Sequence, residues 1–192
     1  MKKTTNAFIL LISIVFLSSC GYNGGVQRDE QVSAAWGQVQ NAYQRRADLI
    51  PNLVNTVKGF AQQEKEVLVS VIEARAKATS INVSADNLTP ENLKKFQDAQ
   101  DGLSSSLSKL MMVSEAYPDL KSNQNFLELQ SQLEGTENRI SVERRNFNEA
   151  VKDYNSYGRS FPNNLFAGMW SFKQKNYFEA SPGSDKAPTV KF

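Results

Sequence analysis

Residues 43–78 read YQRRADLIPNLVNTVKGFAQQEKEVLVSVIEARAKA, and this stretch decides the fold. Its apolar residues recur at alternating steps of four and three, which keeps them on one face of an α-helix. The stripe begins upstream, so we predict one long amphipathic helix, or two helices in line, from about Gln27 to about Ser80. A repeat this strict favours a coiled-coil-like seam. The stripe comprises Val32, Trp36, Val39, Tyr43, Arg46, Ile50, Leu53, Val57, Phe60, Glu64, Val67, Val71, Ala74 and Ala78.

A proline, Pro51, lies inside the predicted helix. It has no amide hydrogen to donate, and its ring crowds the carbonyl of Ala47. We therefore expect a kink or a break near residues 49–50. Because the stripe stays in phase across the proline, a kink is favoured over a loop.

Arg46 places a positive charge within the apolar stripe. An arginine at a packed position needs a carboxylate, because an unpaired buried charge costs several kcal/mol. Glu64, in the same stripe, and Glu143, in the stripe of a later predicted helix, are the candidate partners. The first interpretation of Arg46 is therefore an ion pair inside the bundle.

A second interpretation makes the same region a binding site. Arg45, Arg46, Asp48 and Asn52 would line a polar pocket at the Pro51 kink, where backbone carbonyls lose their helical donors. Its ligand would be a small anion or a peptide, such as the C-terminus of a partner protein.

The 192-residue chain has no histidine and a single cysteine, Cys20. The lack of histidine excludes Ser-His-Asp and Cys-His catalysis, imidazole zinc sites and ferritin-type di-metal sites. One cysteine excludes internal disulfides and multi-thiolate metal sites. Carboxylate chemistry stays open, but nothing marks two of Glu64, Glu73, Glu137 and Glu143 as a hydrolytic pair. We predict a protein that is not an enzyme and binds no metal or cofactor.

The N-terminus has the pattern of a lipoprotein signal peptide, residues 1–19. Two lysines open it, an apolar run follows, and Leu17-Ser18-Ser19-Cys20 resembles a lipobox. We predict that cleavage leaves Cys20 as a lipid-modified N-terminus, carrying palmitate-type chains, that attaches the protein to the membrane. The alternative is an uncleaved anchor in which the cysteine is incidental.

Residues 20–26 would then form a short, flexible, lipid-anchored linker, because they are rich in turn residues. An aspartate after the cysteine would resemble an inner-membrane retention signal, whereas this chain has Gly21. We therefore expect an extracytoplasmic envelope protein. If the cell has an outer membrane, we expect the protein to be anchored in that membrane and to face the periplasm. Without Lys2 and Lys3, the chain has 20 basic and 20 acidic residues, and this balance predicts no nucleic-acid partner.

The remaining pattern predicts further helices. A second helix should run from about Pro90, where proline follows a capping threonine, to Ala116, and a third from about Asn123 to Tyr157. The second has an apolar stripe of Leu93, Phe96, Leu103, Leu107, Leu110 and Val113. The third has a stripe of Phe126, Leu129, Leu133, Thr136, Ile140, Glu143, Phe147, Ala150, Tyr154 and Tyr157. A short apolar helix should end near Trp170. We predict an all-α, antiparallel bundle of the four-helix type over residues 27–180, with a long kinked first helix, two further long helices and a short C-terminal helix. Residues 181–192 should be a disordered tail.

Aromatic residues are dense toward the C-terminus. They either close the open end of the bundle or form an exposed patch for a partner or the membrane surface. They are Phe161, Phe166, Trp170, Phe172, Tyr177 and Phe178.

Blocks across residues 21–180 resemble the LemA family of bacterial proteins. The blocks are GYN at 21–23, QRRADLIPNLV at 44–54, VKG at 57–59, EARA at 73–76, YPDLK at 117–121, NQNF at 123–126, LEGTENRI at 133–140, FP at 161–162 and YF at 177–178. The resemblance implies an extracytoplasmic, membrane-associated four-helix bundle with no established activity and no catalytic residues. Many family members look like single-span proteins, and this chain departs from them by its lipobox.

From these observations we expect a non-enzymatic scaffold that recruits an envelope protein. The alternative is a module that binds a peptide or a small anion near Arg46 and Pro51.

Overall fold

The computed structural model describes residues 2–165, 168–169 and 172–179, with residues 2–20 described as backbone only. This part of the chain contains five α-helices and no strand. They are α1 (Lys2–Phe60), α2 (Lys65–Ser80), α3 (Pro90–Glu115), α4 (Pro118–Lys121) and α5 (Gln124–Arg159), with short 3₁₀ helices at Ala85–Asn87 and Asn163–Leu165. The predicted all-α class is confirmed.

The four long helices pack as an antiparallel bundle. Helix α5 lies along α1 over most of its length, so that Tyr157 near the end of α5 donates a 2.8 Å hydrogen bond to the carbonyl of Gly21. At the opposite end, Tyr117 donates a 3.0 Å hydrogen bond to Glu64, where α1, α2 and α3 meet the short α4. Helix α2 packs between α1 and α3.

The expectation of one long helix, or of two helices in line, is wrong, because the chain reverses at residues 61–64. Helix α1 continues through Pro51, and α2 then runs back along it. Trp36 Nε1 on α1 consequently donates a 2.7 Å hydrogen bond to the carbonyl of Val83, beyond the end of α2. Reversal buries Leu68 against the bundle, a gain that a continued straight helix would lack.

The predicted stripe accounts for the core of α1. Every stripe residue from Val32 to Val57 is buried, whereas Phe60 is 40 % exposed because the helix ends there. The stripes predicted for α3 and α5 are likewise largely buried, including Phe96, Leu103 and Phe147. The hydrophobic pattern therefore predicted which helix faces pack inward.

Residues 21–26 belong to α1, which corrects the predicted flexible linker. Glycine serves close packing here: a Cβ on Gly24 would lie 2.3 Å from Tyr157 Oη, and one on Gly25 would lie 2.1 Å from the Phe172 ring. The α5 helix and the C-terminal segment can approach α1 closely because these side chains are missing.

Several predictions concern residues outside the described part. The predicted short C-terminal helix corresponds there to the 3₁₀ helix Asn163–Leu165, and Phe166, Ala167 and Trp170 lie outside the described residues. The same holds for the predicted tail, residues 181–192, and for the side chain of Cys20. Lipidation therefore stays a prediction.

Candidate functional site

Arg46 crosses the interior of the bundle from α1 and is 1 % exposed. Its Nη1 donates to Glu137 Oε1 at 2.6 Å and to Ser104 Oγ at 2.7 Å. Its Nη2 donates to the side-chain oxygen of Gln100 at 2.7 Å and to the Gln100 carbonyl at 3.2 Å. Within the described part of the chain, Nε has no hydrogen-bond partner. One guanidinium thus joins α1, α3 and α5.

This polar layer separates two apolar clusters. One cluster contains Trp36 and Tyr43 on the Gly21 side of Arg46, and the other contains Ile50 and Leu53 on the far side. A helix displaced along its neighbours would withdraw its groups from the guanidinium and leave it buried without them. The layer therefore favours one register of the bundle, as single buried polar residues do in coiled coils.

The interpretation of Arg46 as an internal ion pair agrees with this geometry, but both predicted partners were wrong. Its carboxylate partner is Glu137, whose side chain is 47 % exposed. Glu143 is buried and pairs instead with Arg139 at 2.6 Å, one helical turn away. Glu64 lies at the turn after α1 and accepts from Tyr117, as described above.

The backbone acceptor left free by Pro51 is also satisfied within the bundle. Arg75 on α2 donates from Nε to the carbonyl oxygen of Ala47 at 2.7 Å. Ala47 is itself buried, so that this carbonyl does not face solvent or a ligand. The proposed recognition of a ligand by carbonyls at the proline therefore has no support at Ala47.

The four predicted binding residues do not converge on one pocket. Arg45 and Asp48 line an open groove between α1 and α5, with a volume of about 790 Å³. Arg46 points into the bundle, and Asn52 is exposed one turn beyond Asp48. We call this cavity the Arg45 groove; its lining comprises Gln38, Asn41, Ala42, Gln44, Arg45, Asp48, Gln132, Gly135, Thr136 and Arg139.

The groove carries both signs of charge. Asp48 accepts a 2.8 Å hydrogen bond from Gln44, and Arg139 is held by Glu143. Arg45 is exposed on the rim. Chemically, this surface can offer a guanidinium and amide groups to a polar partner.

Two tyrosines beside these residues have perturbed acidity. Burial raises the pKa of Tyr43, and the nearby Arg144 and Arg46 oppose that shift. Partial burial, followed by the hydrogen bond to Glu64, raises the pKa of Tyr117. Both side chains therefore stay neutral at physiological pH and act as packing or hydrogen-bonding groups.

The described residues include no cluster of three acidic residues or cysteines that could hold a metal ion. Nor does the described part contain a helix long and apolar enough to cross a membrane.

Gln100, Ser104 and Arg75 were not predicted as partners of the α1 core. Nor were Asn148 and Asn155, whose side chains bind the backbone of the C-terminal segment. The two asparagines are seven residues apart on one face of α5, and that spacing was the available signal.

An antiparallel bundle of long helices, crossed in its described part by the polar layer around Arg46, defines an all-α helical-bundle protein. The LemA family model matches residues 35–192, and the chain belongs to the LemA family. That assignment confirms the resemblance found in the sequence.

Named relatives fall in two groups. The chain is similar to Protein LemA of Metamycoplasma hominis, with 27 % identity over 175 residues, covering 91 % of this chain and 76 % of the relative. It is also similar to Magnetosome protein MamQ 2 of Paramagnetospirillum magneticum, with 26 % identity over 181 residues, covering 85 % of this chain and 66 % of the relative. Magnetosome protein MamQ of Magnetospirillum gryphiswaldense is 24 % identical over 192 residues, covering 91 % and 71 %.

Proposed function

We propose that this LemA family chain is a lipid-anchored envelope protein that acts as a non-enzymatic scaffold and recruits a partner protein. Cys20 carries the lipid and holds the bundle on the extracytoplasmic side. Where the cell has an outer membrane, the anchor lies in it and the bundle faces the periplasm.

The packing directly after Cys20 carries this proposal. Tyr157 binds the carbonyl of Gly21, and Gly24 lies too close to Tyr157 to bear a side chain. The chain thus enters the bundle one residue past the lipidation site. A lipid on Cys20 would hold the bundle at the bilayer with little slack, which suits a protein that presents a surface in a fixed orientation.

The Arg45 groove is the surface that we assign to the partner. It lies on α1 and α5, the two helices that pack together beside the anchor. Its exposed Arg45 and its amide groups suit a polar, hydrogen-bonded contact rather than an apolar one. Arg46 contributes indirectly, because it fixes the relative register of α1 and α5.

The anchor is tested by mass spectrometry of the mature N-terminus. Wild-type protein should begin at an acylated Cys20 and sediment with membranes, while Cys20→Ala should lack the acyl chains. An unmodified cysteine in membrane-bound wild-type protein would overturn the lipid anchor.

The partner is tested by site-specific photocrosslinking in the native envelope. A crosslinker at the exposed Asn41, inside the groove, should capture one discrete protein, whereas a crosslinker at the exposed Lys109 on α3 should not. Arg45→Glu should abolish the product, and the control Lys94→Glu, exposed on α3, should preserve it. Absence of any discrete product at Asn41 would overturn recruitment through the groove.

The second candidate function is a module that binds a peptide or a small anion in the same groove. The exposed guanidinium of Arg45 in the groove favours this function, because a guanidinium can bind a carboxylate or a phosphate through two parallel hydrogen bonds. Calorimetric titration with a triglutamate peptide and with inorganic phosphate tests it. Saturable binding that Arg45→Ala removes would establish the binder, and no heat with either probe would dismiss it.

A further inference from the structure

A segment without regular secondary structure, residues 172–179, runs back along α5 toward the middle of the bundle. We call it the C-terminal strap. Lys175 lies beside Asn155 near the end of α5, and Phe178 lies beside Asn148, two turns earlier. The strap is therefore antiparallel to α5.

Two asparagines bind the strap through its backbone. Asn155 accepts from the Lys175 amide at 2.9 Å and donates to the Lys175 carbonyl at 2.9 Å. Asn148 accepts from the Phe178 amide at 2.9 Å and donates to its carbonyl at 3.2 Å. Each side chain thus binds both polar backbone groups of one residue, a pattern that does not depend on the side chain of the bound segment.

The spacing of the asparagines matches the repeat of an extended chain. Seven helical residues advance about 10.5 Å along α5. Three extended residues, from Lys175 to Phe178, advance about 10 Å. The helix therefore presents Asn148 and Asn155 at the distance that extended peptide backbone requires.

Phe178 has the most buried side chain of the strap, while Lys175 pairs with Asp29 and Asn176 donates a 2.9 Å hydrogen bond to the Leu88 carbonyl. The Phe178 ring is 5 % exposed and lies with its centroid 5.7 Å from that of Trp36 and 5.4 Å from that of Phe147. The guanidinium of Arg144 lies 4.8 Å above it. An aromatic side chain gains most from such a pocket.

The strap is also accessible from solvent. Lys173, Gln174, Tyr177 and Glu179 are exposed. Cavities of about 530 Å³ and 630 Å³ lie along its two edges, toward α3 and α5 respectively. Besides α5, the strap contacts α3 and α1, because Gln97 donates a 3.1 Å hydrogen bond to the Glu179 carbonyl and Lys175 forms an ion pair with Asp29.

We propose that α5 and the aromatic pocket form a binding site for an extended peptide with an aromatic residue, and that the strap is its internal ligand. The occupant in trans is such a segment on a partner protein. This inference does not depend on the Arg45 groove or on the lipid anchor, which involve other residues. Because the strap is tethered, its effective concentration is on the order of millimolar, so that a free peptide competes poorly until the strap is weakened.

The test uses the full chain and a fluorescent peptide with the sequence of residues 172–179, FKQKNYFE. Binding is measured by fluorescence anisotropy. Phe178→Ala in the chain should weaken its own strap and raise affinity for the peptide at least tenfold over wild type. Adding Asn148→Ala and Asn155→Ala should remove that gain, whereas Asn138→Ala, an exposed asparagine of the same helix, should leave it unchanged.

The matched control peptide carries alanine in place of the phenylalanine that corresponds to Phe178, and it should not bind. A Phe178→Ala chain with wild-type helical circular dichroism that fails to bind FKQKNYFE would overturn the proposal. Dimerisation of the wild-type chain through Asn148 and Asn155 at micromolar concentration would show that the occupant is a second copy of this chain. That result would overturn the proposal of a partner protein.

Hydrogen exchange on the wild-type chain keeps the proposal testable if Phe178→Ala does not fold. The amides of Lys175 and Phe178 should exchange through local opening of the strap while the centre of α5 stays protected. Exchange of those two amides only together with global unfolding would overturn the proposal.

Discussion

Arg75 Nε donates a 2.7 Å hydrogen bond to the carbonyl oxygen of Ala47, the acceptor that Pro51 leaves without its helical donor. Helix α2 therefore completes the hydrogen bonding of α1. The proline weakens α1 alone but is compatible with the bundle, since a side chain from the neighbouring helix replaces the missing amide.

This relationship predicts coupling between Arg75 and Pro51. Arg75→Met keeps most of the apolar stem and leaves the buried carbonyl unsatisfied, which should lower the free energy of unfolding by about 1 to 3 kcal/mol. In a Pro51→Ala background the same change should cost about 1 kcal/mol less, because the new amide can bind Ala47. Urea unfolding of the four proteins measures the coupling, and strictly additive effects would contradict the replacement of the amide by Arg75.

The polar layer around Arg46 predicts an order of mutational effects. Arg46→Ala should lower the free energy of unfolding by about 3 to 5 kcal/mol, because it empties a buried site and strands the groups on α3. Glu137→Gln should cost about 1 kcal/mol, since the carboxylate is half exposed and its charge is screened by solvent. Arg45→Ala, the exposed neighbour, should change it by less than about 0.5 kcal/mol.

Chemical denaturation of these three variants tests the order. If Arg46→Ala and Arg45→Ala lowered the free energy of unfolding equally, the conclusion that only the buried Arg46 stabilises the bundle would be refuted.

The glycines near the start of the bundle predict opposite effects of alanine at different positions. Gly24→Ala places a methyl group 2.3 Å from Tyr157 Oη, and the overpacking should cost about 1 to 3 kcal/mol. Gly37→Ala, where no atom lies within 4 Å, should stabilise the helix by about 0.5 to 1 kcal/mol. Thermal unfolding of both variants is the measurement, and a stabilising Gly24→Ala would show that α1 and α5 are less closely packed here than described.

Tyr43 predicts a loss of stability at alkaline pH. Its pKa is raised in the folded protein, chiefly by burial, so that the folded state retains a proton that the unfolded chain releases near pH 10. The stability that this retained proton contributes is fully present below about pH 10 and is lost as the pH rises through the folded pKa. The free energy of unfolding then falls by at most about 1.4 kcal/mol per pH unit. Tyr43→Phe should make the pH dependence shallower between pH 9 and 11, and an unchanged slope would contradict the prediction.

The apolar repeat predicted the helix faces because burial of a stripe is a local consequence of sequence. It did not predict the reversal at residues 61–64. The stripe that contains Val57 and Val71 can be buried whether α2 continues α1 or runs back along it. The choice depends on what α2 gains by packing between α1 and α3, which no local pattern records.

The candidate site, like the fold, could be predicted from the sequence only in part. That Arg46 is buried and paired with a carboxylate followed from its place in the stripe, but its partner Glu137 lies one position off the α5 stripe and was not predicted. A long arginine side chain reaches beyond the seam to the helix flank, so that stripe positions alone do not identify its partner. The four-residue pocket failed for a related reason, because Arg45 and Arg46 lie about 100° apart around α1 and face opposite environments.

The unbroken run of α1 from Gly21 to Phe60 also fixes a length. Forty helical residues extend about 60 Å, and the reversal after Phe60 lies at their far end. In the lipid-anchored arrangement proposed above, this length is the largest distance that the far end of the bundle can stand from the bilayer. A partner that contacts residues 61–64 would then lie within about 60 Å of the bilayer, and the number of helical turns in α1 sets that limit.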